Sequence, residues 1–292
     1  MYKSMTGPNT NPTSNPAEPF RRVFKPGAVI GMVHVGALPG SPGYRGNIGK
    51  LARDAAAEAG ELARAGFDAV MIENMHDAPY VNGPHGPEVV ACMTRIAIEA
   101  SREVGRLPLG VQVLSRGERE AVAIAHAVRP DPADGPCFIR CENFVFAHVA
   151  DEGLMPDAAA GPLLRYRRNI DAQHVLVLAD IKKKHASHAI TSDTPIADAA
   201  KAAAFFGADA AVVTGAFTGA PTDERDIECA AASGLPVVVG SGATPASLAR
   251  LFKHASAVIV GSWIKQSGDW RRPVDPARAR EFVAAAREAR QS

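Results

Sequence analysis

Residues 236–263 read PVVVGSGATPASLARLFKHASAVIVGSW. Two short β-branched runs flank a helical pattern that Thr244 can cap and Pro245 can open. Runs that are apolar at nearly every position suit strands buried on both faces, and the helix supplies the crossover that parallel pairing needs. Upstream the same unit recurs, with runs AVIGMVHV (28–35), DAVMIEN (68–74), LGVQVL (109–114), CFIRCEN (137–143), HVLVLADIK (174–182) and DAAVVTG (209–215). Helical patterns occupy about 47–65, 87–104, 117–127, 194–206, 222–232, 244–252 and 275–290. The crossover at 144–172 is the least regular, with a short helix expected near 161–171. Eight βα units predict an α/β fold, a single (β/α)8 TIM barrel over 25–292. An open doubly wound sheet is the alternative, but no G-x-G-x-x-G follows the first strand.

Residues 1–24 are rich in Pro, Asn, Ser and Thr and are expected to form a disordered tail. That tail holds no apolar run of signal-peptide length, and the chain has no apolar stretch of about 18 residues, so a cytoplasmic protein without membrane insertion is expected. A net charge of +1 on 292 residues leaves no basic footprint for nucleic acid. Cys92, Cys137, Cys141 and Cys229 are too scattered for a disulfide framework and read as reduced thiols.

Function in such a barrel sits where strands end. The seventh strand ends in Gly240-Ser241-Gly242 and the eighth in Gly261-Ser262. Small residues there let an anion reach backbone N–H groups, so Ser241, Gly242, Gly261 and Ser262 are expected to hold a phosphate. The other reading is that these glycines only make tight turns. Residues 214–224, TGAFTGAPTDE, either cover the ligand or form a plain connection.

Polar residues close the other strands: His34; Glu73 and Asn74, then His76 and Asp77; Glu142 and Asn143; Asp180, Lys182 and Lys184, then His185 and His188. Period-two alternation puts Asp180 and Lys182 on one face with Leu176 and Leu178. If that face is inward, both meet Glu73 and His34 at the axis. Glu73 or Asp180 is then the general acid or base, Lys182 an electrostatic or acid partner, and His34, Asn74 and Asn143 position the substrate. Two further readings stand beside this one. Lys182 could form a Schiff base with a sugar carbonyl, or Asp180 and Lys182 could be a salt-bridged layer filling the barrel. No spacing identifies a metal ligand set; a metal, if used, is expected to be Mg2+ bridging a phosphate.

The stretches IGMVHVGALPGSPGY (30–44), AGFDAVMIENMHDAPY (65–80) and LADIKKKHA (178–186), with GSGATP (240–245) and VIVGSWIK (258–265), together resemble the BtpA/SgcQ family over about residues 28–290. That resemblance implies a TIM barrel, with one branch named for photosystem I biogenesis and another associated with carbohydrate operons. It implies no catalytic list. His76 departs from the family pattern, in which a glycine precedes the aspartate, and this makes Asp77 a weaker site candidate.

The expected function is acid–base chemistry on a small phosphorylated sugar or nucleoside-like metabolite, by isomerase, lyase or hydrolase action. The alternative is a non-catalytic assembly or biogenesis factor. Self-association is also expected, with the apolar loop VFAHVADEGLMP (145–156) serving as an interface or as an active-site lid.

Overall fold

A computed structural model describes residues 17–215 and 217–291. Eight parallel strands close into a barrel in sequence order: β1 (Ala28–His34), β2 (Ala69–Glu73), β3 (Leu109–Gln112), β4 (Cys137–Cys141), β5 (Leu176–Lys182), β6 (Ala210–Val213), β7 (Val237–Val239) and β8 (Ala257–Val260). β8 pairs with β1 through Ala28↔Ala257 to Gly31↔Val260. That closure decides against the open sheet. The connecting helices are α2 (Ile48–Ala65), α3 (Pro87–Val104), α4 (Glu118–Val128), α5 (Ala160–Asn169), α6 (Ile196–Phe205), α7 (Glu224–Ala231), α8 (Leu248–Leu251) and α9 (Pro276–Ala289).

Local chemistry explains their limits. Asn47 accepts the Lys50 N–H to start α2, and Gly66 ends it at φ 94°, donating to the Leu62 and Ala63 carbonyls. Asp275 caps α9, with Pro276 in its first turn. α2 turns Ala52, Ala55, Ala59 and Leu62 inward against the outer faces of the strands.

The two strand faces bury into separate cores. Val29, Val33, Val70, Ile72, Val177, Val237 and Val258 pack under the helices. Ile30, Met32, Met71, Phe138, Leu178, Val212, Val238 and Ile259 fill the barrel interior. Size matching is tight there: a Cβ on Gly110 would lie 2.4 Å from the Phe138 ring, so β3 gives up a side chain to the phenyl group.

One boundary is corrected. The expected tail reached residue 24, but Glu18–Val23 form a helix, α1, that plugs the N-terminal pole of the barrel. Phe20 and Phe24 are buried, stack at 4.5 Å, and Phe24 meets Phe138 edge-on at 5.4 Å. Burying two phenyl rings contributes on the order of 3–6 kcal/mol, enough to order a short helix that propensity alone would not hold. The rest of the expected tail, 1–16, lies outside the described residues.

The long fourth crossover supplies α5 as expected, and before it a hairpin, His148–Ala150 with Gly153–Met155. Ala186–Ser187 joins that hairpin to make a three-stranded antiparallel sheet beside the C-terminal strand ends. All four cysteines are free thiols. Among the described residues no helix is long and apolar enough to cross a membrane.

Candidate functional site

The parity of the interior layers carries the site. Below the rim, Met32, Met71, Phe138, Leu178 and Ile259 point inward; two residues further along, the same faces present His34, Glu73, Arg140, Asp180 and Gly261. Registers His34↔Glu73 and Glu73↔Gln112 hold three of the polar ends at one level. Two cavities open at this rim, of about 240 and 280 Å3, and both are lined by Glu73, Met75, Arg140, Lys184 and Thr218.

The first cavity is the glycine corner. It is lined by residues 240–244 and 260–263, by His34 and by Arg278. Among the described residues the N–H groups of Gly242, Ala243, Ser262 and Trp263 meet no hydrogen-bond acceptor. Thr244 N–H is spent on the Ser247 hydroxyl at 2.9 Å. Arg278 donates its Nε to the Trp263 carbonyl at 2.6 Å and lies 4.3 Å over the Trp263 ring, which turns its guanidinium edge to the cavity. A Cβ on Gly261 would stand 3.1 Å from His34 Nε2, in space that the glycine leaves open.

The expected corner residues divide. Ser241, Gly242, Gly261 and Ser262 all line the cavity, but the Ser241 hydroxyl is already engaged within the protein. It accepts the Gly215 N–H at 2.8 Å and donates to the Ala220 carbonyl at 3.3 Å, tying the 214–224 loop to the end of β7. Gly242 has φ +72°, and a Cβ there would fall 2.2 Å from the Ala220 carbonyl oxygen. Its glycine is required by that loop contact as much as by any anion.

The second cavity is lined by Tyr80, Gln112, Leu114, Glu142, Asp180, Lys183 and Trp270 among others. Arg140 donates through Nε and Nη2 to both oxygens of Asp180, at 2.9 and 3.1 Å, and both groups are buried. Burial pushes the Asp180 carboxyl up and Arg140 partly offsets this; the surrounding carboxylates hold the guanidinium firmly charged. Lys183 bridges Glu142 and Glu152 at 3.3 Å each. Glu73 has no carboxylate-to-cation contact of this kind among the described residues, and burial raises its pKa, against the opposing fields of Lys184 and Arg140.

His34 Nδ1 lies 2.8 Å from the Trp270 carbonyl. A carbonyl only accepts, so Nδ1 carries the proton, and burial with the Lys265 charge keeps the ring neutral. The bare Nε2 then faces the cavity beside Gly261 as an acceptor for a ligand O–H or N–H.

The Asp180–Lys182 pairing is corrected. The β5–β6 register shifts between Asp180 and Lys182, so alternation no longer carries the lysine to the axis. Lys182 lines a recess of about 30 Å3 with His148 and His188 instead, and Arg140 takes its expected place beside Asp180. Lys184 is the lysine at the mouth; its Nζ reaches the Thr218 hydroxyl at 3.3 Å. Asn74 and Asn143 are corrected too. Asn74 is consumed by the Leu114 N–H and C=O and by Asp77, and Asn143 donates to the Asp157 carbonyl; neither lines the two cavities.

Arg140, Gln112, Arg278 and Trp270 line the cavities without being among the candidates the sequence pattern offers. Arg140 had a signal, a charge inside an apolar run on the Phe138 face. Arg278 and Trp270 come from C-terminal segments brought over the mouth by tertiary packing, for which a linear pattern has no sign. Among the described residues no three His, Cys, Asp or Glu side chains are grouped to hold a metal.

Solved structures of similar fold include a putative phosphonomutase from Burkholderia cenocepacia, at TM-score 0.54 and 18% identity, covering 94% of this chain and 99% of that one. Orotidine 5'-phosphate decarboxylase from Pyrococcus horikoshii aligns at TM-score 0.50 and 11% identity, covering 88% and 99%. These likenesses speak to the barrel alone. In sequence, an uncharacterized mitochondrial protein of Caenorhabditis elegans is 40% identical, covering 87% of this chain and 91% of the relative. The photosystem I biogenesis protein BtpA of Synechocystis is 35% identical, covering 89% and 88%. The BtpA family profile matches residues 25–288. The closed barrel, the motifs at its rim and these matches agree: the chain belongs to the BtpA family.

Proposed function

We propose that this protein is an enzyme acting on a small phosphorylated metabolite, with the phosphoryl group in the glycine corner and the reacting carbons across the shared rim. The observation that carries this reading is one cleft joining unengaged amides at 242–243 and 262–263 to Glu73, Arg140 and Lys184. Amides and the Arg278 edge suit an anion, because they supply fixed donors without needing a counter-ion of their own.

Acid–base chemistry then falls to Glu73. Burial raises its pKa above the ordinary carboxylate range, and it faces both cavities, so it is placed to give or take a proton on a bound carbon or oxygen. The charged Arg140 beside it offsets developing negative charge, and His34 Nε2 accepts from a substrate hydroxyl. The Arg140–Asp180 pair fixes the floor on which these groups stand. Among the described residues no cluster of carboxylates or histidines forms a metal cage, so magnesium, where used, would be carried by the phosphoryl group. An isomerisation or a lyase step fits this set.

The competing reading, a non-catalytic biogenesis factor, rests on the name of the Synechocystis relative and on no side chain of this site. Thermal shift against paired phosphorylated and unphosphorylated sugars tests the choice. A ligand at 100 times its Kd should stabilise by about 2.7 kcal/mol, and only the phosphorylated member of a pair should do so. Gly261→Ala, which fills the corner beside His34, should abolish the shift while leaving the unliganded Tm within a few degrees. Equal shifts from both members of each pair, or none from any, would overturn the reading.

A further inference from the structure

Near the C-terminal strand ends Lys183 and Lys265 are buried and Lys184 is partly buried, and their surroundings differ. Lys183 is held between Glu142 and Glu152, and Lys265 is paired with Glu58 at 2.6 Å. Both are neutralised structural cations. Lys184 has no carboxylate within ion-pair distance among the described residues; its one recorded partner is the Thr218 hydroxyl. It lines both rim cavities, at the point where a ligand anchored in the corner must cross to the second lobe.

The corner amides and Arg278 already supply an anion site, so a further fixed cation there is redundant. Arg140 lies close enough to oppose a second positive charge, and it is itself committed to Asp180. Burial and Arg140 together pull the Lys184 amine below the ordinary lysine range. An unpaired, desolvated amine beside a carboxyl group that can be protonated is the arrangement covalent carbonyl capture needs.

We propose that Lys184 forms a Schiff base with the carbonyl carbon of a phosphorylated aldehyde or ketone seated in the glycine corner, an inference that rests on the phosphate reading above. The neutral Lys184 amine attacks the carbonyl carbon, and the C=O π pair moves to oxygen. A proton passes from nitrogen to that oxygen, giving a carbinolamine. Glu73, as the carboxylic acid, protonates the hydroxyl; the C–O bond breaks, water leaves, and the nitrogen lone pair forms the protonated imine. In sum, amine, carbonyl and carboxylic acid become iminium, water and carboxylate, with no oxidant or reductant. The Glu73 carboxylate left behind is placed to take a proton from the neighbouring carbon.

Trapping the full-length protein tests this. Glyceraldehyde 3-phosphate and pyridoxal 5'-phosphate serve as phosphorylated aldehyde probes, cyanoborohydride reduces any imine, and peptide mass mapping locates the adduct. An amine whose pKa is lowered is neutral more often at neutral pH, so Lys184 should label faster than every surface lysine. Inorganic phosphate should suppress that labelling. Lys184→Arg should lose it and keep its thermal shift with inorganic phosphate. Labelling spread over surface lysines, unchanged in Lys184→Arg or indifferent to phosphate, overturns the proposal. If phosphate still stabilises the protein in that case, the phosphate site stands and only the Schiff base falls. If phosphate and both probes give neither shift nor Lys184 adduct, both readings fall.

Discussion

Replacing Arg140 by methionine and Asp180 by asparagine should have unequal costs, although each breaks the same pair. Two charge-assisted hydrogen bonds at 2.9 and 3.1 Å join groups that are 4% and 1% exposed at their side chains. Breaking such a pair from one side costs about 3–5 kcal/mol, mostly because the survivor is left charged in a poor solvent. The survivors differ. Arg140 without Asp180 still feels Glu73 and Glu142, both of which favour its charge. Asp180 without Arg140 is left with the weaker field of Lys183 against the like charge of Glu142, where Arg140 keeps two favourable carboxylates. Asp180→Asn should therefore cost about 3 kcal/mol and Arg140→Met about 5. In Arg140→Met the rim carboxyls titrate higher in the folded than in the unfolded chain, so the fold binds extra protons and gains stability as pH falls. Urea unfolding at pH 7 and pH 5.5 should show Arg140→Met recovering about 1–2 kcal/mol relative to wild type, and Asp180→Asn recovering less. Combining Arg140→Met with Asp180→Leu should cost no more than the milder single change. Equal single costs, strict additivity in the double variant, or a pH response of opposite sign would refute this account of the barrel floor.

Glu118 is buried at the start of α4, its Oε1 has no partner, and burial with the Glu142 charge pushes its pKa up to about 7. Its contribution is greatest below the unfolded value near 4.5 and is lost as pH rises to about 7, a penalty of roughly 3 kcal/mol above that. Glu118→Gln should accordingly raise stability at pH 8 and have little effect at pH 4.5, which thermal melts at the two pH values would show. Gly242→Ala places a Cβ 2.2 Å from the Ala220 carbonyl at φ +72°. It should cost about 1–3 kcal/mol or more and loosen the 214–224 loop, seen as faster amide exchange there. Glu73→Gln should lower turnover of a substrate found by the thermal-shift screen about 100-fold or more with phosphate binding intact; unchanged turnover would remove Glu73 from the chemistry.

The barrel was legible because its eight strands are short, β-branched and separated by capped helices, a pattern with few other outcomes. The C-terminal rim followed from the fold, and the corner glycines and Glu73, Asp180 and His34 lie on it. What alternation could not foresee is the break at the end of β5. A bulge changes parity without changing composition, so Lys182 and Lys184 look interchangeable in LADIKKKHA and occupy different spaces in three dimensions. Arg140 was hidden for the opposite reason: its partner Asp180 is forty residues away, and an arginine within CFIRCEN resembles a stray charge until the partner strand is placed. Phe20 and Phe24 were obscured by the Pro-, Asn- and Ser-rich stretch before them, because a helix held by docking leaves little local signature.

The stacked phenyl rings of α1 also set the traffic through the molecule. With Phe20, Phe24 and Phe138 packed across the far pole, the described barrel interior is closed at that end and its cavities lie at the rim. If the proposed reaction runs at this rim, substrate and product share it, so a product still seated beside Trp270 and Thr218 excludes the next substrate and slow release limits turnover.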